Sequence, residues 1–181
     1  NNHITEEGFD LLNHAITEVL KHAEEFQCEE ILAFATSAIR EADNGNDIIK
    51  KLQEIHEIEL QILSGDEEAQ LTFLAVRRWL GWSSGRLLVL DIGGGSLEMA
   101  VGNDESASAT LSLPIGAARM TREHLNGDPY TSKSIKNLSQ FVREAISNNV
   151  SGELLNHEAD HYVATSKTFQ LAARSLAWSI S

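Results

Sequence analysis

The residues best suited to chemistry lie in one stretch, Leu88-Val89-Leu90-Asp91-Ile92-Gly93-Gly94-Gly95-Ser96-Leu97-Glu98. An apolar run ends in an acid, turns through three glycines and returns as a second run. Glycine accepts φ > 0 and lets a ligand approach the backbone, so consecutive N–H groups at Gly93, Gly94, Gly95 and Ser96 can point at phosphate oxygens. Asp91, at the end of a strand, can hold a hydrated Mg²⁺ directly or through water, as hard oxygen ligands do. Glu98 lies near the same turn. The loop is not of the Gly-Lys-Ser/Thr type that opens a helix, nor a dinucleotide fingerprint, because a strand follows it. The plain alternative is a hairpin turn, although three glycines exceed what a hairpin needs.

Three further segments carry polar groups at turns. Ala35-Thr36-Ser37-Ala38-Ile39-Arg40 follows an apolar run. The hydroxyls of Thr36 and Ser37 and the Arg40 guanidinium suit phosphate oxygens, while the alternative is a helix start with a surface arginine. Leu63-Ser64-Gly65-Asp66-Glu67-Glu68-Ala69 places acids in a first helical turn. Such acids complement the helix dipole, or one of them serves as general base on water. Val163-Ala164-Thr165-Ser166-Lys167-Thr168 is a strand-to-helix turn. There Thr165, Ser166 and Lys167 either receive an anion at a helix N-terminus or simply cap it. His157-Glu158-Ala159-Asp160-His161 matches the zincin pattern H-E-x-x-H, but it runs into strand-like residues and no Asp, Glu, His or Cys follows it. Zinc protease chemistry needs both histidines on one helix face and a third ligand. Arg119 and Arg122, one turn apart, read as a surface pair or a polyanion track. Trp79, Trp82 and Trp178 read as core or interface, too dispersed for a base-stacking platform.

Elements to position these groups follow from periodicity. Helical spacing runs through residues 4–26, 47–56, 66–81, 117–125, 131–147 and 167–178. Thr5 is a plausible N-cap. Strand-like runs cover 30–35, 58–63, 86–91, 97–101, 107–113 and 161–164. The expected class is α/β, with a boundary at Ser83-Ser84-Gly85 separating 1–84 from 85–181. Each half looks incomplete: the first has two strands, too few for a stable open sheet between helices, and the second stops without closing a layer.

The bulk composition narrows the setting. The 181 residues are 42% hydrophobic, enough for a core, and carry a net charge of −13. That acidity argues against nonspecific nucleic-acid binding through a basic face. Phosphate binding would have to come from backbone N–H groups, a few cations and a metal ion. No apolar run is long enough to span a membrane, and the first residues are not a signal peptide. A single cysteine, Cys28, forms no internal disulfide, which fits a reducing compartment and a cytoplasmic location.

Taken together, residues 35–40, 64–69, 91–98, the Ser112-Leu113-Pro114-Ile115-Gly116 segment and residues 164–169 resemble the exopolyphosphatase/guanosine pentaphosphate phosphatase (Ppx/GppA) family of the actin-like and sugar-kinase superfamily. The resemblance spans nearly the whole chain. It implies two ribonuclease-H-like lobes with an intervening cleft, the first lacking its N-terminal strands and the second incomplete at its C-terminal end. It further implies Mg²⁺-dependent hydrolysis of a terminal phosphoanhydride. The substrate would be inorganic polyphosphate or guanosine pentaphosphate, and a homodimer is left open. Residue by residue, Glu68 matches the catalytic glutamate, Arg40 a phosphate-binding arginine, Asp91 and Glu98 acids near the metal, and Gly93 to Ser96 the second-lobe phosphate loop. Thr165 to Lys167 match a further loop usually written Gly-Thr-Ser-Gly-Thr, with Ala164 and Lys167 in place of its glycines. The family's opening strand and phosphate loop have no counterpart here, so the chain by itself is expected to be inactive. A non-catalytic phosphate-binding module is the competing reading.

Overall fold

The computed structural model describes residues 2–178, with side chains through residue 174. The chain is α/β, and it divides into two compact units at Ser64/Gly65.

In the first unit, α1 (Glu6–Glu25) starts at Thr5, whose hydroxyl accepts the Gly8 N–H at 3.1 Å. Glu6 and Glu7 complement its dipole. There follow β1 (Ala33–Ala35), the single turn α2 (Ser37–Arg40), α3 (Gly45–His56) and β2 (Leu60–Ile62). β1 and β2 pair in parallel, Ala33 opposite Leu60 and Ala35 opposite Ile62. Leu63 N–H extends the ladder to Ala35 O at 3.0 Å. Ile48, Ile49 and Leu52 of α3 are buried, as are Ala35 and Leu63. The strand expected over residues 30–35 shortens to its last three positions. β2 offers only three partners, and Ile31 and Leu32 remain exposed.

The second unit begins with α4 (Gly65–Leu80) and a 3-10 turn at Trp82–Ser84. β3 (Leu87–Ile92), β4 (Leu97–Gly102) and β5 (Ala109–Leu113) form an antiparallel meander. α5 (Ala117–His124), α6 (Ser132–Asn149) and α7 (Gly152–Asn156) lead to β6 (His161–Thr165), which pairs in parallel with β3 and continues into α8 (Ser166–Trp178). The sheet order is β5-β4-β3-β6.

Side-chain alternation along the strands feeds two cores. On one face, Leu87, Val89, Ala100 and Ala107 close over Ala69, Phe73 and Val76 of α4. On the other, Leu97, Met99, Val101 and Leu113 pack with Ile115, Met120 and Leu154, and with Leu138, Val142 and Ile146 of α6. β4 is buried at every position because both of its faces are covered.

The division at Ser64/Gly65 falls earlier than the boundary expected at residues 84/85, because α4 packs its apolar stripe on the second sheet. Arg77 reinforces that attachment. It is 1% exposed and donates to Ser84 Oγ (2.8 Å), Asp104 O (3.1 Å) and Gly102 O (3.3 Å), with its guanidinium 5.6 Å from the Phe73 ring. The short α7 was not expected from the pattern; Ser151 caps it by accepting Leu154 N–H, and Leu154 enters the core. Trp79 and Trp82 are 88% and 63% exposed, so neither is core. The side chain of Trp178 lies outside the described ones. No described helix is long and apolar enough to cross a membrane.

Candidate active site

The α4-facing stripe of β3 runs Leu87, Val89, Asp91: two fully buried apolar residues, then an acid at the strand's end. Registered neighbours on adjacent strands share a face. Asp91 is opposite Glu98 on β4 and Thr165 on β6, and Glu98 is opposite Ser112 on β5. A single row, Ser112–Glu98–Asp91–Thr165, therefore crosses all four strands on the face that α4 covers. Period-two alternation carries the apolar stripe up to this row and ends it there with polar groups.

Glu98 is only 5% exposed. Burial pushes its carboxyl pKa up, the Ser96 and Ser112 hydroxyls hold it down, and the charges of Glu68 and Asp91 push it up again. The Ser112 hydroxyl donates to Glu98 Oε1 at 3.0 Å. Glu68, half-buried in the first turns of α4, thus shares one electrostatic field with Asp91 and Glu98.

The position of Glu68 follows from how α4 is laid along β5. A β-carbon on Gly65 would stand 2.2 Å from Ser112 Oγ and 2.3 Å from its Cβ, so only glycine fits. One residue on, the Thr110 hydroxyl donates to Asp66 Oδ1 at 3.0 Å. The Gln70 amide then bonds both the N–H and the C=O of Ala107, at 2.9 and 3.2 Å. Of the three acids that open α4, Asp66 is thereby assigned to docking the helix.

The glycine loop connects β3 to β4, closed by Gly93 N–H to Ser96 O at 2.9 Å. Its outer carbonyls are all taken by the start of α5. Ala117 N–H reaches Gly93 O at 2.9 Å, Arg119 N–H reaches Gly94 O at 3.0 Å, and Gly116 N–H reaches Gly95 O at 3.1 Å. In a trans peptide the next residue's N–H points opposite to the carbonyl. The N–H groups of Gly94, Gly95 and Ser96 are thereby turned away from α5, as successive donors toward one side.

Left-handed backbone is not why these glycines are glycines. Among the described residues, positive φ at glycine occurs at Gly81, Gly85 and Gly127. A β-carbon on Gly93 or Gly94 would meet one protein atom within 4 Å, Ser96 O at 3.5 Å or Ala118 Cβ at 3.9 Å, which is ordinary contact, so neither position is crowded. Gly116 is the reverse case: its β-carbon would lie 2.4 Å from Gly95 C and Ser96 N. The sequence pattern gave no sign that Gly116 and Gly65 are the tight positions.

At the other end of the row, the Thr165 hydroxyl donates to Leu90 O at 3.3 Å. Ser166 sits at φ 80°, a conformation costly for a residue with a β-carbon. Its buried Oγ has no hydrogen-bond partner. A strained serine with an orphaned hydroxyl at the start of a 13-residue helix is suited to an anion. Lys167 beside it is exposed.

Thr36, Ser37 and Arg40 belong to the first unit. Thr36 occupies the N-cap position of α2 without a side-chain cap bond, and the Arg40 guanidinium donates to Leu63 O, tying the β1–α2 turn to the segment after β2. The zincin-like pattern is dispersed: His157 follows the end of α7, His161 opens β6, and Glu158 and Asp160 pair with Arg86 at 3.4 and 3.2 Å. Among the described residues, no group of three or more His, Cys, Asp or Glu is arranged to hold a metal ion. The side-by-side pair Asp91 and Glu98 suits a cation that takes one or two carboxylates and completes its shell with water and substrate oxygens.

The chain is similar to several known proteins. Exopolyphosphatase 1 of Mycobacterium tuberculosis is 46% identical over 171 residues, covering 94% of this chain and 50% of that protein. The solved Aquifex aeolicus PPX-GPPA enzyme superposes with a TM-score of 0.71 at 26% identity, over 92% of this chain and 53% of that one. An exopolyphosphatase from Cytophaga hutchinsonii, at 22% identity, shares the fold with a TM-score of 0.82 over 97% of this chain and 56% of its own. The chain thus spans about half the length of the relatives it matches. The model of the Ppx/GppA phosphatase family matches residues 1–179, and the chain belongs to that family.

Proposed function

We propose that the protein of which this chain forms part is an exopolyphosphatase, removing the terminal phosphate of inorganic polyphosphate as orthophosphate. The observation that carries this reading is the Asp91–Glu98 pair in register on the face that α4 covers, with the charge of Glu68 felt at Glu98 and a glycine loop whose N–H groups are turned away from α5 at the end of the same hairpin. The 46% identity to a protein named exopolyphosphatase supports the choice of substrate.

In this reading the N–H groups of Gly94, Gly95 and Ser96 receive phosphate oxygens. Thr165, Ser166 and Lys167 add contacts at the start of α8. Glu68 accepts a proton from water as the water oxygen bonds to the terminal phosphorus. The bridging P–O bond breaks, and the shortened chain leaves with the electron pair. Asp91 and Glu98 would hold Mg²⁺, which when bound offsets phosphate charge that an acidic protein cannot offset alone. Positioning and electrostatics supply most of the rate.

The test is phosphate release by the full-length protein from long-chain polyphosphate, with and without Mg²⁺. Metal-dependent release is expected. Release from guanosine pentaphosphate alone would replace the substrate. Binding without release from either would turn the reading into a phosphate-binding module.

A further inference from the structure

Ser112 touches both acidic elements of the site. Its hydroxyl donates to Glu98 Oε1 at 3.0 Å. The same hydroxyl and its β-carbon lie so close to Gly65 that no side chain fits there. Gly65 opens α4, the helix that carries Glu68. β5 thus sets Glu98 from one side and the first turn of α4 from the other, through one residue.

We infer that Ser112 is a positioning residue that fixes Glu68 and Glu98 relative to each other by bonding one carboxyl and seating the helix that bears the other. The residue type is constrained from two directions. Alanine keeps the seat and loses the bond to Glu98. A β-branched residue keeps bulk but adds a methyl where the Gly65 backbone already presses. Thr110, two residues earlier on the same face, docks α4 through Asp66 and touches neither Glu68 nor Glu98 in the described contacts, so it separates helix docking from carboxyl orientation.

This inference rests on the proposed hydrolysis, and the test keeps the two apart. In the full-length protein, Ser112→Ala should retain its unfolding midpoint within a few degrees. It should lower kcat about ten- to a hundredfold, the effect of losing a hydrogen bond to a charged group or of a displacement near 1 Å. KM for polyphosphate should stay within about twofold, because the phosphate loop is untouched. Mn²⁺ binding, followed by electron paramagnetic resonance without substrate, should weaken about tenfold as Glu98 loses its orientation. Thr110→Val should lower kcat less than Ser112→Ala does and leave Mn²⁺ affinity within about twofold of the parent, because the bond to Glu98 is kept. Unchanged kcat and Mn²⁺ affinity in Ser112→Ala would overturn the inference. So would an equal loss in Thr110→Val, which would assign the effect to general loosening of α4. If the parent releases no phosphate from polyphosphate while Ser112→Ala still weakens Mn²⁺ binding, the substrate reading falls and the role of Ser112 stands.

Discussion

Two alanine substitutions probe the glycine loop from opposite sides and should fail differently. Gly116 is packed on the loop: a β-carbon there would stand 2.4 Å from Gly95 C and Ser96 N, where ordinary contact begins at 3.4 Å, a deficit of 3.4 − 2.4 = 1.0 Å against backbone. Backbone cannot rotate away as a side-chain tip can, so α5 must retreat. The retreat strains the three bonds at 2.9, 3.0 and 3.1 Å that orient the loop. Overpacking of this kind costs about 1–3 kcal/mol, and each weakened hydrogen bond adds about 1 kcal/mol at most. Gly116→Ala should therefore destabilise by about 2–4 kcal/mol in urea unfolding and reduce turnover as well.

Gly94→Ala meets no such obstacle. The nearest protein atom to its β-carbon is Ala118 Cβ at 3.9 Å, and its φ is not left-handed. Its stability should stay within about 0.5 kcal/mol of the parent. The added methyl touches Ala118 without displacing it and adds bulk to the loop that would receive phosphate. KM for polyphosphate should rise about tenfold or more, equivalent to about 1.4 kcal/mol of lost binding. Both variants are assayed in the full-length protein by phosphate release and by urea unfolding. Parental KM and kcat in Gly94→Ala would refute the loop as a phosphate cradle, and undiminished stability in Gly116→Ala would refute the packing argument.

Glu68→Gln should lower kcat at least about a hundredfold while polyphosphate binding, measured by calorimetry, is largely kept; general-base contributions are of that order. Arg77→Met should cost about 3 kcal/mol, because it strips a buried donor from Asp104 O and Gly102 O. The same change should leave KM of the remaining folded enzyme near the parental value. Asp160 provides a pH signature. Its hydrogen bonds to Arg86 hold its carboxyl pKa down to about 2 from 3.8. A depressed carboxylate stabilises the fold above the unfolded value near 3.8, and that contribution disappears as pH falls through about 2. Asp160→Asn should flatten this part of the acid-unfolding profile between pH 4 and about 2, and an unchanged profile would show the ion pair to be without effect.

Much of the candidate site's local framework was legible before folding because its signals are local. An apolar strand that ends at Asp91 and turns through glycine needs only neighbours in sequence, and the hairpin forms in that register. Thr5 as a cap and the apolar stripe of α4 are local in the same sense. The short reach of β1 was not legible, since a strand's length is set by its partner: β2 offers three positions and β1 takes three. Nor was the division at Ser64/Gly65, because which sheet a helix covers depends on where Phe73 and Val76 find apolar surface.

Sequence alone determined the residue types of the candidate site: the acids Glu68, Asp91 and Glu98, the glycine turn, and hydroxyls at strand ends. Only tertiary structure decided their relations. Strand register put Ser112, Glu98, Asp91 and Thr165 in one row. The absence of side chains at Gly65 and Gly116 became informative only once Ser112 and Gly95 were found against them. Glycine in sequence signals either backbone freedom or lack of room, and these differ physically in what lies within 4 Å of a missing β-carbon. At Gly93 and Gly94 that is a single atom in ordinary contact, and at Gly65 and Gly116 it is another part of the same unit too close to admit a side chain.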